Sequence, residues 1–250
     1  MIICNSNNFV VTRAPKTGGT SLSLYILQSG LVDSEKDEHT LEGDFDSWEK
    51  FKEFGESHNN LSYLEIPENL YNHMNLSEAQ TPFSELVSQG RVSEKMPCVG
   101  SIRHPLEWLA SLYYYANLRR TSTARKNLIE KGAYSERDLV MEINIKEPNR
   151  SFDFFFDDMW EHGVVQEVAR PQSDYYPDHA KLFNTENIHE HVSEFILSKG
   201  GTVPERINFR KSDNDPTYYV QSLTADRKQR ALDMYEKDLV LWEKARSVYA

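Results

Sequence analysis

Short apolar runs alternate along the chain with stretches of helical periodicity, a pattern that is typical of an α/β fold. The run from Phe9 to Val11 is short and β-branched, as expected for a strand that is covered on both faces. After a loop, apolar residues at helical spacing predict a helix from about Ser21 to Ser29. The run from Cys98 to Ile102 predicts a second core strand, and Pro105 suits the first turn of a following helix. The sequence therefore predicts a central parallel sheet flanked by helices.

Length and composition are those of a globular protein with one large domain. The chain has 250 residues, of which 39% are hydrophobic, and this is enough for a substantial core. We therefore expect residues 1–250 to form a single domain. The formal net charge of −11 argues against a general nucleic-acid binder, which usually carries a basic surface.

The sequence also carries information about the cellular compartment. The first residues show no basic segment followed by a long apolar one, and no apolar stretch of about 18 residues occurs, so we expect neither a signal peptide nor a membrane partner. Two cysteines, Cys4 and Cys98, do not make a disulfide framework, and each is expected to be a small buried hydrophobic residue. Together these features predict a cytoplasmic protein.

The loop between the first strand and the first helix has the composition of an anion-binding site. Gly18 and Gly19 let the backbone turn sharply and approach a ligand closely. Thr20 and Ser21 can cap the helix, whose first amides and positive dipole end favour an anion. Lys16 adds a cation, although an ordinary strand-turn-helix with a solvated lysine also fits. Because Lys16 precedes the glycines, the loop is not a Walker A motif, in which lysine follows the last glycine.

A second arrangement with phosphate-binding chemistry follows the second predicted strand. Arg103 lies where that strand ends and a helix begins, and Ser111 lies about two turns along the helix. The planar guanidinium can grip two phosphate oxygens, and the serine hydroxyl can donate another hydrogen bond. The alternative is an arginine that caps a helix and a serine that faces a helix groove.

These two segments resemble the nucleotide-binding motifs of sulfotransferases that use 3′-phosphoadenosine 5′-phosphosulfate (PAPS). The letters P-K-T-G-G-T-S-L from Pro15 to Leu22 are similar to the 5′-phosphosulfate loop of that family. The 3′-phosphate motif, roughly R-x-P-x-x-x-x-x-S-x-Y, is matched by Arg103, Pro105, Ser111 and Tyr113. The two motifs are about 90 residues apart and follow each other in the family's order, which favours the phosphate-binding interpretation of both.

The resemblance implies a fold and an activity. The fold would be the P-loop-containing nucleotide-hydrolase-like sulfotransferase fold. The activity would be transfer of the sulfuryl group from PAPS to a hydroxyl of a saccharide or small-molecule acceptor, with release of 3′-phosphoadenosine 5′-phosphate (PAP) and without a metal. Lys16 would stabilise the bridging oxygen as PAP leaves. The residues implied to bind PAPS in these two motifs are Arg13, Lys16, Thr17, Gly18, Gly19, Thr20, Ser21, Arg103 and Ser111.

Later segments extend the resemblance to the carbohydrate-type branch of the family. The stretch from Arg170 to Tyr176 is similar to a P-Q-x-x-[FY] segment, and Leu182 to Ile188 is similar to a strand that ends in E-N-[IL]. A predicted strand then runs into a loop that resembles the late nucleotide-contacting loop, and Arg210, Lys211 and Ser212 would close over the 3′-phosphate. The helix predicted from about Thr224 to Ser247 carries the family's Y-x-x-D-L ending.

An acceptor hydroxyl also needs a general base, which in this family is usually His or Glu. We favour His39, because it lies in the predicted loop after the first helix and because His-Thr resembles a recurrent pair in bacterial carbohydrate-type members. A solvated loop histidine remains an alternative. The other candidate bases are Glu35, Glu38, His58 and His73.

Two other functions compete with the sulfotransferase interpretation. A P-loop-like nucleotide kinase would also bind phosphates, but the position of Lys16 and the lack of a clear Walker B aspartate count against it. A non-catalytic nucleotide- or glycan-binding relative would keep the fold without the base. The resemblance is weakest at about 33–97 and 117–167, and these segments are expected to recognise the acceptor.

Overall fold

The fold is described from a computed structural model, which covers residues 1–33, 37–39, 81–121, 152, 156–157, 169–206 and 216–247. For residues 38–39, 114–121 and 216–217 the description is limited to the backbone. Six predicted site residues lie outside the described residues: Glu35, His58, His73, Arg210, Lys211 and Ser212.

The described residues form an α/β arrangement in which helices flank one mixed sheet. Its strands are β1 (Ile2–Cys4), β2 (Phe9–Val11), β3 (Glu38–His39), β4 (Cys98–Ile102) and β5 (Lys181–Asn184). Their order across the sheet is β3-β1-β2-β4-β5. Strands β2, β4 and β5 run parallel, as predicted, but β1 is antiparallel to both β2 and β3. The predicted parallel sheet is therefore confirmed for β2, β4 and β5, whereas β1 makes the sheet mixed.

The antiparallel part begins as a hairpin at the start of the chain. Only residues 5–8 connect β1 to β2, and parallel strands need a far longer crossover. Cys4 pairs with Phe9, and Asn8 adopts a left-handed backbone (φ 51°), which asparagine tolerates in tight turns. The short connection therefore fixes β1 as an antiparallel neighbour of β2.

Seven helices lie among the described residues, and the first and third begin within two residues of their predicted starts. In chain order they are α1 (Gly19–Gln28), α2 (Phe83–Ser88), α3 (Pro105–Thr121), α4 (Ile188–Ser198), α5 (Pro216–Ser222), α6 (Ala225–Met234) and α7 (Glu236–Ser247). Two short 3₁₀ segments span Gln172–Tyr175 and Thr185–Asn187. The single helix predicted near the C-terminus is instead α6 and α7, because the backbone leaves helical geometry at Tyr235 (φ −107°, ψ 33°). No helix among the described residues is both long enough and apolar enough to span a membrane.

The chain divides into two compact units. The first comprises Met1–Arg103, Gln172–Asp213 and Val240–Ala250, and it contains the whole sheet. Every residue of β1, β2 and β4 is buried, which explains why these strands are continuous apolar runs. Burying one large apolar side chain stabilises a fold by about 1.5–3 kcal/mol, so this core accounts for much of the unit's stability.

The second unit comprises His104–Pro171 and Asn214–Leu239. Its core lies around Trp108, whose ring meets that of Tyr235 edge to face with centroids 5.3 Å apart. The Tyr235 hydroxyl donates a hydrogen bond to the Ala169 carbonyl over 2.8 Å, so this buried phenol is satisfied. An ion pair joins Arg227 and Asp157, and the hydrogen bonds from Arg227 lower the pKa of the Asp157 carboxyl.

Candidate anion-binding site

The loop after β2 contains two residues with a left-handed backbone. Lys16 (φ 62°) and Gly18 (φ 80°) both adopt left-handed conformations, and Thr17 lies between them. Such a conformation is uncommon for a residue with a side chain, so the loop holds Lys16 in a constrained shape. Concave backbone turns with left-handed residues point successive amides at one place and bind anions. The sequence predicted the turn at the glycines but not the conformation of Lys16.

The first turn of α1 combines buried and half-buried residues. The helix begins at Gly19, two residues before the predicted start, and its N-cap is Gly18, which makes no side-chain capping bond. The prediction that Thr20 and Ser21 cap the helix is therefore wrong, because both lie inside its first turn. Both are only half-buried. Because the amides of a first helical turn have no partner within the helix, a helix start favours an anion.

Arg13 supports the loop from beneath. Its side chain is only 4% exposed, so Arg13 is not a surface charge at the end of the strand. A Cβ atom added to Gly19 would lie 2.8 Å from Cδ and 2.9 Å from Cβ of Arg13. The absence of a side chain at Gly19 therefore lets the arginine pack directly under the helix start. A buried cation at this position adds positive potential to the loop.

Arg103 brings the second sequence motif to the first. It follows β4 directly, is half-buried, and extends its Nη1 atom to 3.5 Å from the carbonyl oxygen of Lys16. Strands β2 and β4 are parallel neighbours, so the segments after their carboxyl ends lie side by side. Lys16 and Arg103, which are 87 positions apart in sequence, thus lie together at the carboxyl ends of these two strands.

The main chain of Arg103 is fixed by a single side chain. The backbone amide of Arg103 donates to Oε1 of Gln172 over 2.9 Å, and Nε2 of Gln172 donates to the Arg103 carbonyl, also over 2.9 Å. Gln172 is fully buried. Its amide group therefore satisfies both main-chain groups of the residue where β4 ends and the chain turns towards α3.

The loop itself is held by a buried hydroxyl network. Tyr176 donates to the Ser101 carbonyl over 2.7 Å and accepts from the Ala14 amide over 3.0 Å. Thr17 donates to the Ala14 carbonyl over 2.9 Å, and its hydroxyl lies 3.1 Å from that of Ser101. Burial raises the pKa of Tyr176, so the phenol stays protonated and keeps its donor. The Thr17 hydroxyl is buried within this network, so its hydrogen bonds hold the loop to β4.

Thr185, the residue after β5, supports the same loop. Its Oγ1 atom lies 2.8 Å from the Thr17 carbonyl oxygen and 2.9 Å from that of Ile102. Its methyl group also packs close to Gly18, where an added Cβ would lie 3.2 Å from Cγ2. The loop is thus held by contacts from β4 and from the residue after β5, and a loop held in this way is preorganised. Such preorganisation lowers the entropic cost of binding.

Two further predicted site residues have known positions in the fold. Ser111 lies on α3 in the second unit and is half-buried. His39 lies in β3 and not in a loop, which corrects the prediction. Ile2 pairs with His39 on one side and with Val11 on the other. Two strand spacings, about 10 Å, therefore separate the backbone of His39 from the end of β2.

Several supporting residues escaped the sequence analysis. The Pro-Gln pair before Tyr175 and Tyr176 was visible, but nothing in it indicated that Gln172 holds Arg103 or that Tyr176 holds the loop. Thr185 carried no signal at all, because its contacts reach residues more than 80 positions away. Among the described residues, no group of three or more His, Cys, Asp and Glu side chains is placed to hold a metal ion.

Comparison of the chain with models of protein families, with curated proteins and with solved structures gives no match. The evidence on function is therefore the two sequence motifs and the contact between Arg103 and Lys16 that brings them together.

Proposed function

We propose that this protein is a PAPS-dependent sulfotransferase that acts on a hydroxyl of a saccharide or small molecule. The observation that carries the proposal is the 3.5 Å approach of the Arg103 guanidinium to the carbonyl oxygen of Lys16. It supports one binding site built from both motifs, because PAPS carries anionic groups at two positions, the 5′-phosphosulfate and the 3′-phosphate. A P-loop-like sulfotransferase fold is part of the same proposal, and the parallel strands β2, β4 and β5 are compatible with it.

The described residues fit the two anionic ends of PAPS. The constrained loop from Lys16 to Gly18 and the first turn of α1 offer amides, two hydroxyls and one ammonium group to the phosphosulfate. Arg103 offers a planar fork of donors, which suits the 3′-phosphate and would select PAPS over ATP. The sequence resemblance alone also assigns Ser111 and the Arg210–Ser212 segment to the 3′-phosphate.

The reaction follows the logic of in-line group transfer. The acceptor oxygen forms a bond to sulfur while the bond between sulfur and the bridging oxygen of the phosphosulfate breaks, and PAP leaves with the negative charge. Lys16 stabilises that charge as it develops, and the loop amides orient the transferring group. The proton of the acceptor hydroxyl passes to a base.

The proposed base is His39, with Glu38 as its nearest alternative. Both belong to β3, which pairs with the strand next to β2. The backbone pairing of His39 with Ile2, and of Ile2 with Val11, puts this residue at the same end of the sheet as the loop. Glu35, His58 and His73 remain alternatives to be tested by substitution.

Turnover of PAPS tests the proposal. Protein is incubated with PAPS labelled with sulfur-35 and a panel of hydroxyl acceptors without magnesium, and labelled product and PAP are quantified. We expect transfer by the wild type and a loss of about 100- to 1000-fold in Lys16→Ala, because a group that stabilises developing charge is removed. Lys95→Ala is the matched control, because exposed Lys95 precedes the opposite end of β4 and carries the same charge.

Three results would count against the proposal. Equal rates in Lys16→Ala and Lys95→Ala would remove Lys16 from the mechanism. Binding of PAP without transfer to any acceptor would favour a non-catalytic binding protein. Phosphoryl transfer from ATP that requires magnesium would indicate a kinase instead.

A further inference from the structure

The segment from Gln172 to Tyr176, called here the 172–176 segment, contacts both halves of the candidate site. At its first residue the Gln172 amide forms two hydrogen bonds of 2.9 Å with the main chain of Arg103. At its last residue the Tyr176 hydroxyl joins the Ala14 amide to the Ser101 carbonyl. Gln172 is 0% and Tyr176 7% exposed, so neither side chain is displayed to solvent.

We propose that the 172–176 segment positions the two anion-binding groups, Arg103 and the loop after β2, independently of each other. Gln172 fixes the main chain of Arg103, and Tyr176 fixes the start of the loop. The inference rests on the proposed function, because it assigns the 3′-phosphate to Arg103 and the 5′-phosphosulfate to the loop. Gln172 and Tyr176 are positioning residues and act on the ligand only through the groups that they hold.

Gln172 acts on the direction of the Arg103 side chain. The side-chain amide of glutamine carries an acceptor oxygen and a donor NH₂ group in one plane. It can therefore pair with the main-chain N–H and C=O of a single residue, as a neighbouring β-strand does. Those two bonds fix the main chain at the residue where β4 ends. A guanidinium grips a phosphate with two bonds only when its direction is fixed, so loss of the Gln172 contacts should weaken 3′-phosphate binding.

Tyr176 acts on the loop through one oxygen atom. The phenol accepts from Ala14, two residues before Lys16, and donates to Ser101 in β4. Its ring leaves no room beside β4, because a Cβ added to Gly100 would lie 2.2 Å from Cε1 of the ring. The ring is thus fixed by packing, and its hydroxyl ties the start of the loop to the strand. Removing only the hydroxyl should therefore loosen the loop, while the ring keeps its packing against β4.

The two roles predict different ligand profiles. PAP contains both phosphates, whereas 5′-AMP lacks the 3′-phosphate. Loss of the Gln172 contacts should lower the affinity for PAP about tenfold and leave that for 5′-AMP unchanged. Loss of the Tyr176 hydroxyl should lower both affinities by a similar factor. A residue that only stabilises the fold would change neither affinity at a temperature where the protein is folded.

Calorimetric titration with PAP and 5′-AMP of four full-length variants tests the inference. Gln172→Leu removes both bonds, Gln172→Glu keeps only the acceptor for the Arg103 amide, and Tyr176→Phe removes the hydroxyl. Gln172→Glu also serves if Gln172→Leu does not fold. The matched control is Ser29→Ala, which removes a buried hydroxyl that donates to the Ile26 carbonyl over 2.6 Å at the far end of α1. Thermal unfolding is recorded for each variant.

The outcomes separate the inference from the function on which it rests. A lower ratio of PAP to 5′-AMP affinity in both Gln172 variants, an unchanged ratio with weaker binding in Tyr176→Phe, and unchanged affinities in Ser29→Ala would support it. Wild-type binding of PAP with equal losses, or no losses, for both ligands in the Gln172 variants would overturn the inference alone. Wild-type protein that binds neither ligand would overturn the proposed function and the inference with it.

Discussion

Replacing Gly100 by alanine should destabilise the first unit, because Tyr176 occupies the space that a side chain would need. The new methyl group would lie 2.2 Å from Cε1, 2.8 Å from Cδ1 and 2.9 Å from Cζ of the Tyr176 ring. Carbon atoms in van der Waals contact lie about 3.5–4.0 Å apart, so the ring must move by more than about 1 Å. The ring is buried, and its hydroxyl is bonded to both Ser101 and Ala14, so the movement strains or breaks two hydrogen bonds.

The size of the effect follows from these two contributions. Overpacking of a core costs about 1–3 kcal/mol, and two lost hydrogen bonds cost about 1 kcal/mol each. Gly100→Ala should therefore lower the free energy of unfolding by about 3–5 kcal/mol, a large share of the roughly 5–15 kcal/mol typical of a folded protein. Urea unfolding followed by far-ultraviolet circular dichroism would measure this change.

A double-mutant cycle with Tyr176→Ala tests the cause. Once the ring is absent, Gly100→Ala should be neutral or stabilising by up to about 1 kcal/mol, since alanine restricts the unfolded chain more than glycine does. Gly30→Ala is the control, because Gly30 has a positive φ of 75° but nothing within 4 Å of an added Cβ. Its cost should be the same with or without the Tyr176 ring. Equal costs of Gly100→Ala in both backgrounds would refute the reasoning.

Three further predictions concern the loop, a thiol and a histidine. Gly18→Ala should lower the free energy of unfolding by about 1–2 kcal/mol, because Gly18 is left-handed (φ 80°), and unchanged urea unfolding would contradict this. Burial raises the pKa of Cys98 to about 12, so iodoacetamide at pH 8 should not modify it in the folded protein but should do so in urea, as mass spectrometry would show. Burial lowers the pKa of His191, whose Nδ1 accepts from the Asn184 amide, so the unfolded state binds a proton first as the pH falls. Stability should therefore decline below about pH 6.5, and His191→Gln should remove this decline in unfolding curves between pH 7.5 and 5.5.

Local sequence signals predicted the elements that carry the site. The apolar runs before Lys16 and Arg103 gave β2 and β4, and the periodic apolar residues after them gave α1 and α3. Gly200 follows α4 in a left-handed conformation (φ 79°), which is a common way for a helix to end at glycine. These features depend on neighbours within a few positions, which is why a single sequence reveals them.

The parts that sequence did not predict depend on distant contacts. The antiparallel β1 is three residues long and has no periodicity to identify it, although the polar residues 5–8 have the composition of a turn. His39 seemed to lie in a solvated acidic loop, yet β3 pairs with β1, and the neighbouring Asp37 is 6% exposed. Burial would raise the pKa of Asp37, but hydrogen bonds from Ser6 and other donors outweigh it and lower the pKa.

The roles of Gln172 and Tyr176 show the same limit within the site. Gln172 bonds to a residue 69 positions away, and Tyr176 to one 162 positions away. No periodicity or spacing encodes such pairs, because tertiary packing alone brings the partners together. The sequence therefore predicted candidate ligand-binding residues such as Lys16 and Arg103. It did not predict that Gln172 and Tyr176 hold Arg103 and the loop in place.

Calorimetric titration of PAP into wild type and Arg103→Ala tests the central claim most directly. ADP and ATP with magnesium are the reference ligands, and Arg206→Ala is the matched control, because Arg206 forms only an exposed ion pair of 3.8 Å with Glu190 among the contacts described. We predict that wild type and Arg206→Ala bind PAP more tightly than ADP, and that Arg103→Ala loses about 10- to 100-fold in PAP affinity alone, the cost of a charged hydrogen-bonding partner. Unchanged PAP affinity in Arg103→Ala, or magnesium-dependent ATP binding that ignores Arg103, would contradict the account.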